Sequence, residues 1–248
     1  MQLSGNTILI TGGSAGIGLA FAERFLKAGN TVIVCGRQEA KLQEAKLTYP
    51  DLHTRVCDVA SEDERLALVE WAKREFPELN VLVNNAGIQQ RTNLVQTQES
   101  WSYHHQEIAA NLEAPLHLTM LFLPHLAEKS HAAVINVSSG LAFTPMAAAP
   151  IYCATKAALH SFTMSLRYQL ASTAIEVIEV APPAVNTDLG GKGLHTFGVP
   201  LDEFADGVFQ GLEKGLPEIG YGTSEKALRL SRDEIDAAVQ AINSRVSF

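Results

Sequence analysis

The sequence predicts an α/β fold, a single domain built on a doubly wound parallel sheet. Short β-branched runs alternate with longer helical stretches along the chain. Most of the runs are apolar throughout rather than alternating, as expected of strands covered on both faces. The 248 residues contain no internal repeat, low-complexity tract or Pro/Gly/Ser linker at which to divide them, and single α/β domains reach this length routinely.

Thr7–Ile10 reads as the first strand and runs into a glycine-rich turn. A helical pattern over Gly16–Ala28 stops at Gly29, a favoured C-terminal residue. Thr31–Val34 is the second strand, and the helix Gln38–Thr48 ends before Pro50. After the strand Thr54–Cys57, Ser61 opens a helix with Glu64 three residues on, the spacing of a capping box. Val81–Asn84, Ala133–Val137 and Ile175–Val180 continue the sheet, and Glu218–Tyr221 is a weaker seventh strand. Further helices are expected over Ser100–Glu128, Pro150–Ala171, Leu201–Lys214 and Arg232–Arg245, the last within a helical tail over 224–248. Crossovers between parallel strands should be right-handed. The least regular stretch is 188–200, where Gly190, Gly191, Gly193 and Gly198 make a flexible loop suited to covering a site.

Composition narrows the function classes. A chain that is 46% hydrophobic and 19% charged is globular rather than disordered. No run reaches ~18 apolar residues, so no transmembrane helix is expected. The start, MQLSGNTILITGG, has no basic stretch before a long apolar one, so no secretory signal is expected either. Nineteen Lys and Arg against 27 Asp and Glu give a net charge of −8. That argues against nucleic acid, which needs clustered cations. Cys35, Cys57 and Cys153 are odd in number and form no CxxC, against a disulfide framework or structural zinc. Free, buried thiols in a reducing cytoplasm fit them better. The eight histidines show no ligand spacing, and no metal is assigned. Trp71 and Trp101 are read as packing residues.

Residues 7–18, TILITGGSAGIG, place a glycine-rich turn between the first strand and first helix. Gly12, Ser14, Gly16, Ile17 and Gly18 would cradle a pyrophosphate, because glycines admit close backbone approach and the helix N-terminus offers free N–H groups. About twenty residues on, a site for NAD offers an acid at the end of the second strand. Here Val34-Cys35-Gly36 leads to Arg37 instead. A guanidinium can clamp a 2′-phosphate, so NADP(H) is the preferred cofactor, with NAD(H) the alternative.

Thr11-Gly12-x-x-x-Gly16-x-Gly18, Asp58-Val59, Asn84-Asn85-Ala86-Gly87, Asn111, Ser138-Ser139 and Tyr152-x-x-x-Lys156 occur in one order. In these motifs the chain resembles the short-chain dehydrogenase/reductase family over about residues 4 to 223. The resemblance implies a Rossmann-type fold and hydride transfer between a nicotinamide and a CH–OH or C=O group. It implies that Asp58 and Val59 contact adenine, and that Asn85, Ala86 and Gly87 line the cofactor, with Pro182, Val185 and Thr187 matching later contacts. Tyr152 would be the acid in reduction and the base in oxidation, and Lys156 would hold the nicotinamide ribose. Ser139 would hydrogen-bond the substrate oxygen, and Asn111 would hold a water linking Lys156 to solvent.

Four residues apart on a helix, Tyr152 and Lys156 share a face. The ammonium is expected to draw the phenol below its usual pKa of ~10. The chain departs from the family at Pro183, which stands in Ala181-Pro182-Pro183-Ala184 where the family has glycine. Proline fixes φ and removes an N–H beside the nicotinamide.

Leu141, Phe143, Met146, Ala184, Leu189, Leu194 and Phe197 are the expected pocket wall, with Lys192 as the cation of the loop. A mostly apolar wall suits a neutral ketone, aldehyde or secondary alcohol, and no basic patch for an acyl-carrier protein is evident. The reading is an NADP(H)-dependent carbonyl reductase or alcohol dehydrogenase, cytoplasmic, assembled as a homodimer or homotetramer through Asn111–Glu128 and Pro150–Ala171. Two alternatives stand beside it. One is a non-catalytic NADP(H)-binding sensor, which would need none of the four residues Asn111, Ser139, Tyr152 and Lys156. The other is a sugar or cell-wall precursor oxidoreductase, because the chain also resembles oxidoreductases associated with lipoteichoic-acid D-alanylation operons.

Overall fold

A computed structural model describes residues 1–244. Its seven strands are β1 (Thr7–Thr11), β2 (Thr31–Gly36), β3 (His53–Val56), β4 (Leu79–Asn84), β5 (Ala132–Val137), β6 (Ile175–Ala181) and β7 (Glu218–Gly220). They form one parallel sheet in the order β3-β2-β1-β4-β5-β6-β7. From β1 the chain winds outward to β2 and β3, then returns to lay β4 on the other side of β1. The order therefore reverses between β1 and β4, and a crevice opens beyond their carboxyl ends.

Alternation along each strand feeds two cores. Ile8 and Ile10 pack with Phe21 and Phe25 of α1 (Gly16–Lys27), Leu42 of α2 (Glu39–Thr48) and Phe204 of α7 (Leu201–Glu213). Leu9 points the other way, with Leu68 of α3 (Glu62–Glu75), Phe122 of α5 (Ala114–Leu126) and Leu166 of α6 (Pro150–Gln169). Both faces are covered, which is why the strands read as unbroken apolar runs.

The expected helix over Ser100–Glu128 is divided. Ser100 caps α4 (Trp101–Ile108), its hydroxyl accepting the Tyr103 N–H. A π-helical segment, Ala109–Glu113, then joins α4 to α5. Pro115 has no N–H to return to the residue 111 carbonyl, so the regular ladder cannot run through this point. The widened turn sits directly before it and carries Asn111.

The 188–200 loop is anchored at its base by a bridge between Val185 and Val199. The tail forms α8 (Thr223–Ala227) and α9 (Arg232–Asn243). Arg245, the expected end of the last helix, lies outside the described residues. Asn243 fastens α9 to the chain between Ser139 and Tyr152: its Oδ1 accepts the Ala147 N–H at 2.6 Å and its Nδ2 donates to the Pro145 carbonyl at 3.1 Å. All three cysteines are free and buried. No helix among the described residues is long and apolar enough to cross a membrane.

Candidate active site

The glycine turn lies at the switch point, held by the threonine that ends β1. Thr11 Oγ1 accepts the N–H groups of Asn85 and Ala86, both at 3.0 Å. Asn85 Nδ2 returns to the carbonyls of Thr11 and Gly12 at 2.9 and 3.2 Å. These bonds bring the chain after β4 against the turn so closely that side chains are excluded. A Cβ on Gly12 would stand 2.8 Å from the Ala86 Cα, and one on Gly18 would stand 2.4 Å from the Gly12 carbonyl oxygen. Helix α1 opens on Ala15, with no side-chain cap and no acid in its first turn. Its leading amides are thus left for an anion. The cradle therefore fits the pyrophosphate of a dinucleotide.

The other residues matched to the cofactor lie beyond the ends of β1, β2, β3 and β6. Ser14 lies against Gly36 at the end of β2, and Arg37 is exposed just beyond. Ile17 packs partly on the core, and Thr187 lies beside Gly16. Asp58 is committed locally, its Oδ1 accepting the Ala60 N–H at 3.0 Å. Val59 is buried, with its carbonyl on Arg65 Nη1 at 2.7 Å. The Pro182 carbonyl accepts the Gly140 N–H at 2.8 Å.

Asn111, Ser139, Tyr152 and Lys156 are all buried beyond the carboxyl ends of β4 and β5. Ser139 caps a short 3₁₀ turn, Gly140–Ala142, accepting the Leu141 N–H at 3.1 Å. Tyr152 and Lys156 share a face of α6, with Lys156 Nζ 5.7 Å from the phenol ring centroid. That Nζ donates to the Val137 carbonyl at 2.8 Å. Asn111 binds the Ile88 backbone and also donates to Thr155 Oγ1 at 3.3 Å. Gly87 lets them meet: a Cβ there would stand 3.2 Å from Asn111 Oδ1 and 3.6 Å from Lys156 Nζ.

Burial dominates the ionisation of this cluster. It pushes the Tyr152 phenol well above its usual value, with the Ser139 hydroxyl pulling the other way. The expected lowering is reversed because burial of the phenol outweighs it; the Lys156 ammonium stands over the ring and donates to the Val137 carbonyl. Burial also lowers Lys156 to about 8, opposed by the carboxylates of Glu107 and Glu179.

The expected pocket wall is only partly assembled at the tyrosine. Leu141, Met146 and Leu189 pack with Ala149, Tyr152 and Cys153. Phe143 turns instead onto His160, with ring centroids 4.6 Å apart, and borders a groove against Arg232, Ile235 and Val239 of α9. Ala184 is exposed, as are Leu194 and Phe197, the last by 75%. Val185 is buried at the base of the loop.

Two acids in this region were not singled out from the sequence. Glu107 is fully buried, one Oε1 accepting the Gln90 N–H at 2.8 Å and the other oxygen unpartnered. Burial raises it to about 7, with the Gln90 N–H and Lys156 opposing. Its signal was position, four residues before Asn111 and so on the same helix face. Glu179 is fully buried in β6, and its signal was a second charge in the run IEVIEVA, inside the apolar stretch that follows the exposed Glu176.

A glycine turn at the switch point of a parallel sheet, with a Ser/Tyr/Lys cluster beyond the next strands, defines a dinucleotide-type oxidoreductase. The chain belongs to the short-chain dehydrogenase family, whose model matches residues 6–195; these are oxidoreductases acting on CH–OH and C=O groups. It is 48% identical to the uncharacterized oxidoreductase DltE of Bacillus subtilis (strain 168), over 99% of each chain. Among solved structures it resembles a short-chain dehydrogenase from Burkholderia cenocepacia J2315 in complex with NADP, with TM-score 0.83 and 25% identity over 97% of this chain and 98% of the other. It also resembles a short-chain dehydrogenase from Sphingobium yanoikuyae in complex with NADPH, with TM-score 0.80 and 26% identity over 98% and 96%.

Proposed function

We propose that the chain is an NADP(H)-dependent carbonyl reductase, running in reverse as an alcohol dehydrogenase, for a small and mostly apolar substrate. The observation that carries this reading is the meeting of Ser139, Tyr152 and Lys156 in one buried patch beside an apolar wall. The cofactor would lie along the Gly12–Gly18 turn, with Arg37 at the 2′-phosphate and Asn85–Gly87, Thr187 and Lys156 toward the nicotinamide end. When bound it supplies or accepts the hydride.

The chain's own residues manage the proton. Tyr152, held protonated by burial, is poised to donate to a carbonyl oxygen, with the Ser139 hydroxyl polarising the same oxygen. Lys156, kept charged at neutral pH, favours the phenolate that remains. Asn111 fixes the Ile88 backbone, and a water there would connect Lys156 with solvent. Leu141, Met146 and Leu189 exclude water on the substrate side. Assembly as a homo-oligomer is supported by Met120, Met164 and Tyr168, large side chains left exposed on α5 and α6.

The test is absorbance at 340 nm with NADPH and then NADH against aryl ketones, diketones, aldehydes and sugars, wild type beside Tyr152→Phe. Turnover of a neutral carbonyl with NADPH, lost by at least ~10²-fold in Tyr152→Phe, is expected. Tight NADPH binding with no turnover of any of them would favour a sensor, and turnover confined to the sugars would favour the cell-wall alternative.

A further inference from the structure

Ser138 and Ser139 leave β5 with opposite orientations. Ser139 faces the Tyr152 phenol, whereas Ser138 Oγ donates to Glu179 Oε1 at 2.5 Å. The other carboxylate oxygen of Glu179 meets His160 Nδ1 at 2.8 Å. His160 lies one turn beyond Lys156 on α6, and its ring meets Phe143 edge-on with centroids 4.6 Å apart. One fully buried carboxylate thus holds both ends of the segment Ser138–Phe143, directly at Ser138 and through the His160 ring at Phe143. Ser139 stands inside that segment.

We propose that Glu179 is a positioning residue for Ser139, with His160 as its counter-ion, and that this pair sets where the substrate-side segment 138–143 stands against Tyr152. The proposal rests on the role given to Ser139 above. A buried carboxylate is costly unless paired and hydrogen-bonded, and here each oxygen has one partner, Ser138 next to Ser139 and His160 one turn beyond Lys156. Glu179 also raises the Lys156 ammonium, so the same carboxylate acts on both sides of the phenol. The groups facing His160 are Glu179 of β6, Glu218 of β7 and Arg167 of its own helix. Arg167 is itself held by Glu218 at 3.2 Å. The Glu179 hydrogen bond raises His160 most, with the Glu218 charge adding to it, against burial and Arg167. The ion pair is therefore complete below the raised value and is lost as pH rises through it.

Hydrogen exchange read by mass spectrometry on peptides covering 138–147 tests this without a substrate. Ser138→Ala removes one tether with little change in volume; His160→Phe keeps a ring against Phe143 but removes the counter-ion. Each is expected to speed exchange at the 140–143 amides about tenfold, with the rest of the chain unchanged. In the wild type the same protection, corrected for intrinsic exchange, should fall as pH rises through the His160 titration, and in His160→Phe it should not. With NADPH and 1-phenyl-1,2-propanedione, kcat should fall about tenfold in each variant while KM and the NADPH Kd stay within twofold. Unchanged exchange at 140–143 in both variants would overturn the proposal, and so would an equal rise everywhere, which marks a structural role only. Should His160→Phe fail to fold, Ser138→Ala alone decides. Absence of wild-type turnover on this diketone would count against the proposed substrate, while the exchange measurement still decides the role of Glu179.

Discussion

Asn111 grips the backbone of Ile88 from both sides, its Oδ1 accepting the Ile88 N–H and its Nδ2 donating to the Ile88 carbonyl, each at 2.9 Å. A carboxamide can do both at once, whereas a carboxylate lacks the donor and an apolar side chain lacks both. Asn111 is fully buried, so removing it leaves backbone groups unpaired away from water. Asn111→Leu should cost about 2–4 kcal/mol of stability, one lost hydrogen bond and one unsatisfied group at a time. Urea unfolding midpoints check this, and an unchanged midpoint would mean that the Ile88 backbone finds other partners. Turnover should fall by more than tenfold while NADPH affinity changes little.

Glu107 stands one helical turn from Asn111, and its pH behaviour separates it from an ordinary surface acid. Burial raises its pKa to about 7. The folded protein thus holds this proton more tightly than the unfolded chain, where a glutamate titrates near ~4.3. A raised folded pKa contributes stability below the unfolded value, and that contribution is lost as pH rises through about 7. Glu107→Gln, neutral throughout, should therefore gain stability relative to wild type between pH 5 and pH 8, on the order of 2 kcal/mol. Parallel unfolding curves at the two pH values would contradict this. Because Glu107 also raises the Tyr152 phenol, the basic limb of the pH–rate profile should move to lower pH in the variant.

The contrast between these two residues shows how much the sequence discloses. The central strands were legible because each carries an apolar run on both faces, whereas the edge strands β3 (HTRV) and β7 (EIG) carry only weak ones; the glycine turn, Ser139, Tyr152 and Lys156 were legible because their spacing is tied to strand ends and a helix face. Glu107 and Glu179 were not. Their effect depends on desolvation and on which oxygen meets which partner, quantities set by packing across α4, α6 and β6 rather than by local pattern. The direction of the Tyr152 shift failed for the same reason: four-residue spacing puts an ammonium on the right face without saying how deeply the phenol is buried. Phe143 was grouped with the pocket by its position after Ser139, but the 3₁₀ turn carries its ring round to His160. The π segment was hidden within a continuous helical pattern, although Pro115 marked the place.

Arg37 is exposed at the end of β2, beside the turn that holds Ser14. A charge-assisted pair with a 2′-phosphate contributes about 1.5–3 kcal/mol. Arg37→Asp should therefore weaken NADPH binding by at least tenfold and leave NADH binding unchanged or improved, an acid at this strand end being suited to a ribose 2′-hydroxyl. Titration of both cofactors by fluorescence separates the outcomes. Equal loss for both would place Arg37 away from the 2′ position.

Two glycines, one in the first turn of α1 and one just beyond its end, separate crowding from backbone strain. Gly18 has an ordinary φ, but its Cβ would stand 2.4 Å from the Gly12 carbonyl oxygen and 2.5 Å from Asn85 Nδ2. The carbonyl is backbone in the cradle and cannot swing aside, so α1 must retreat from the turn. Gly29 is the reverse case, with φ +82° and nothing within 4 Å of the added carbon. Gly29→Ala should cost roughly 1–2 kcal/mol from left-handed strain alone and leave NADPH affinity untouched. Gly18→Ala should cost a similar 1–3 kcal/mol from overpacking and also weaken NADPH by tenfold or more, because the amides of the α1 N-terminus move with the helix. Thermal unfolding with and without NADPH reads both effects, since a bound ligand adds stability that grows with the logarithm of its affinity. The ligand-induced rise in Tm should survive in Gly29→Ala and shrink in Gly18→Ala. A full rise in Gly18→Ala would mean that the cofactor does not rest on the turn between β1 and α1.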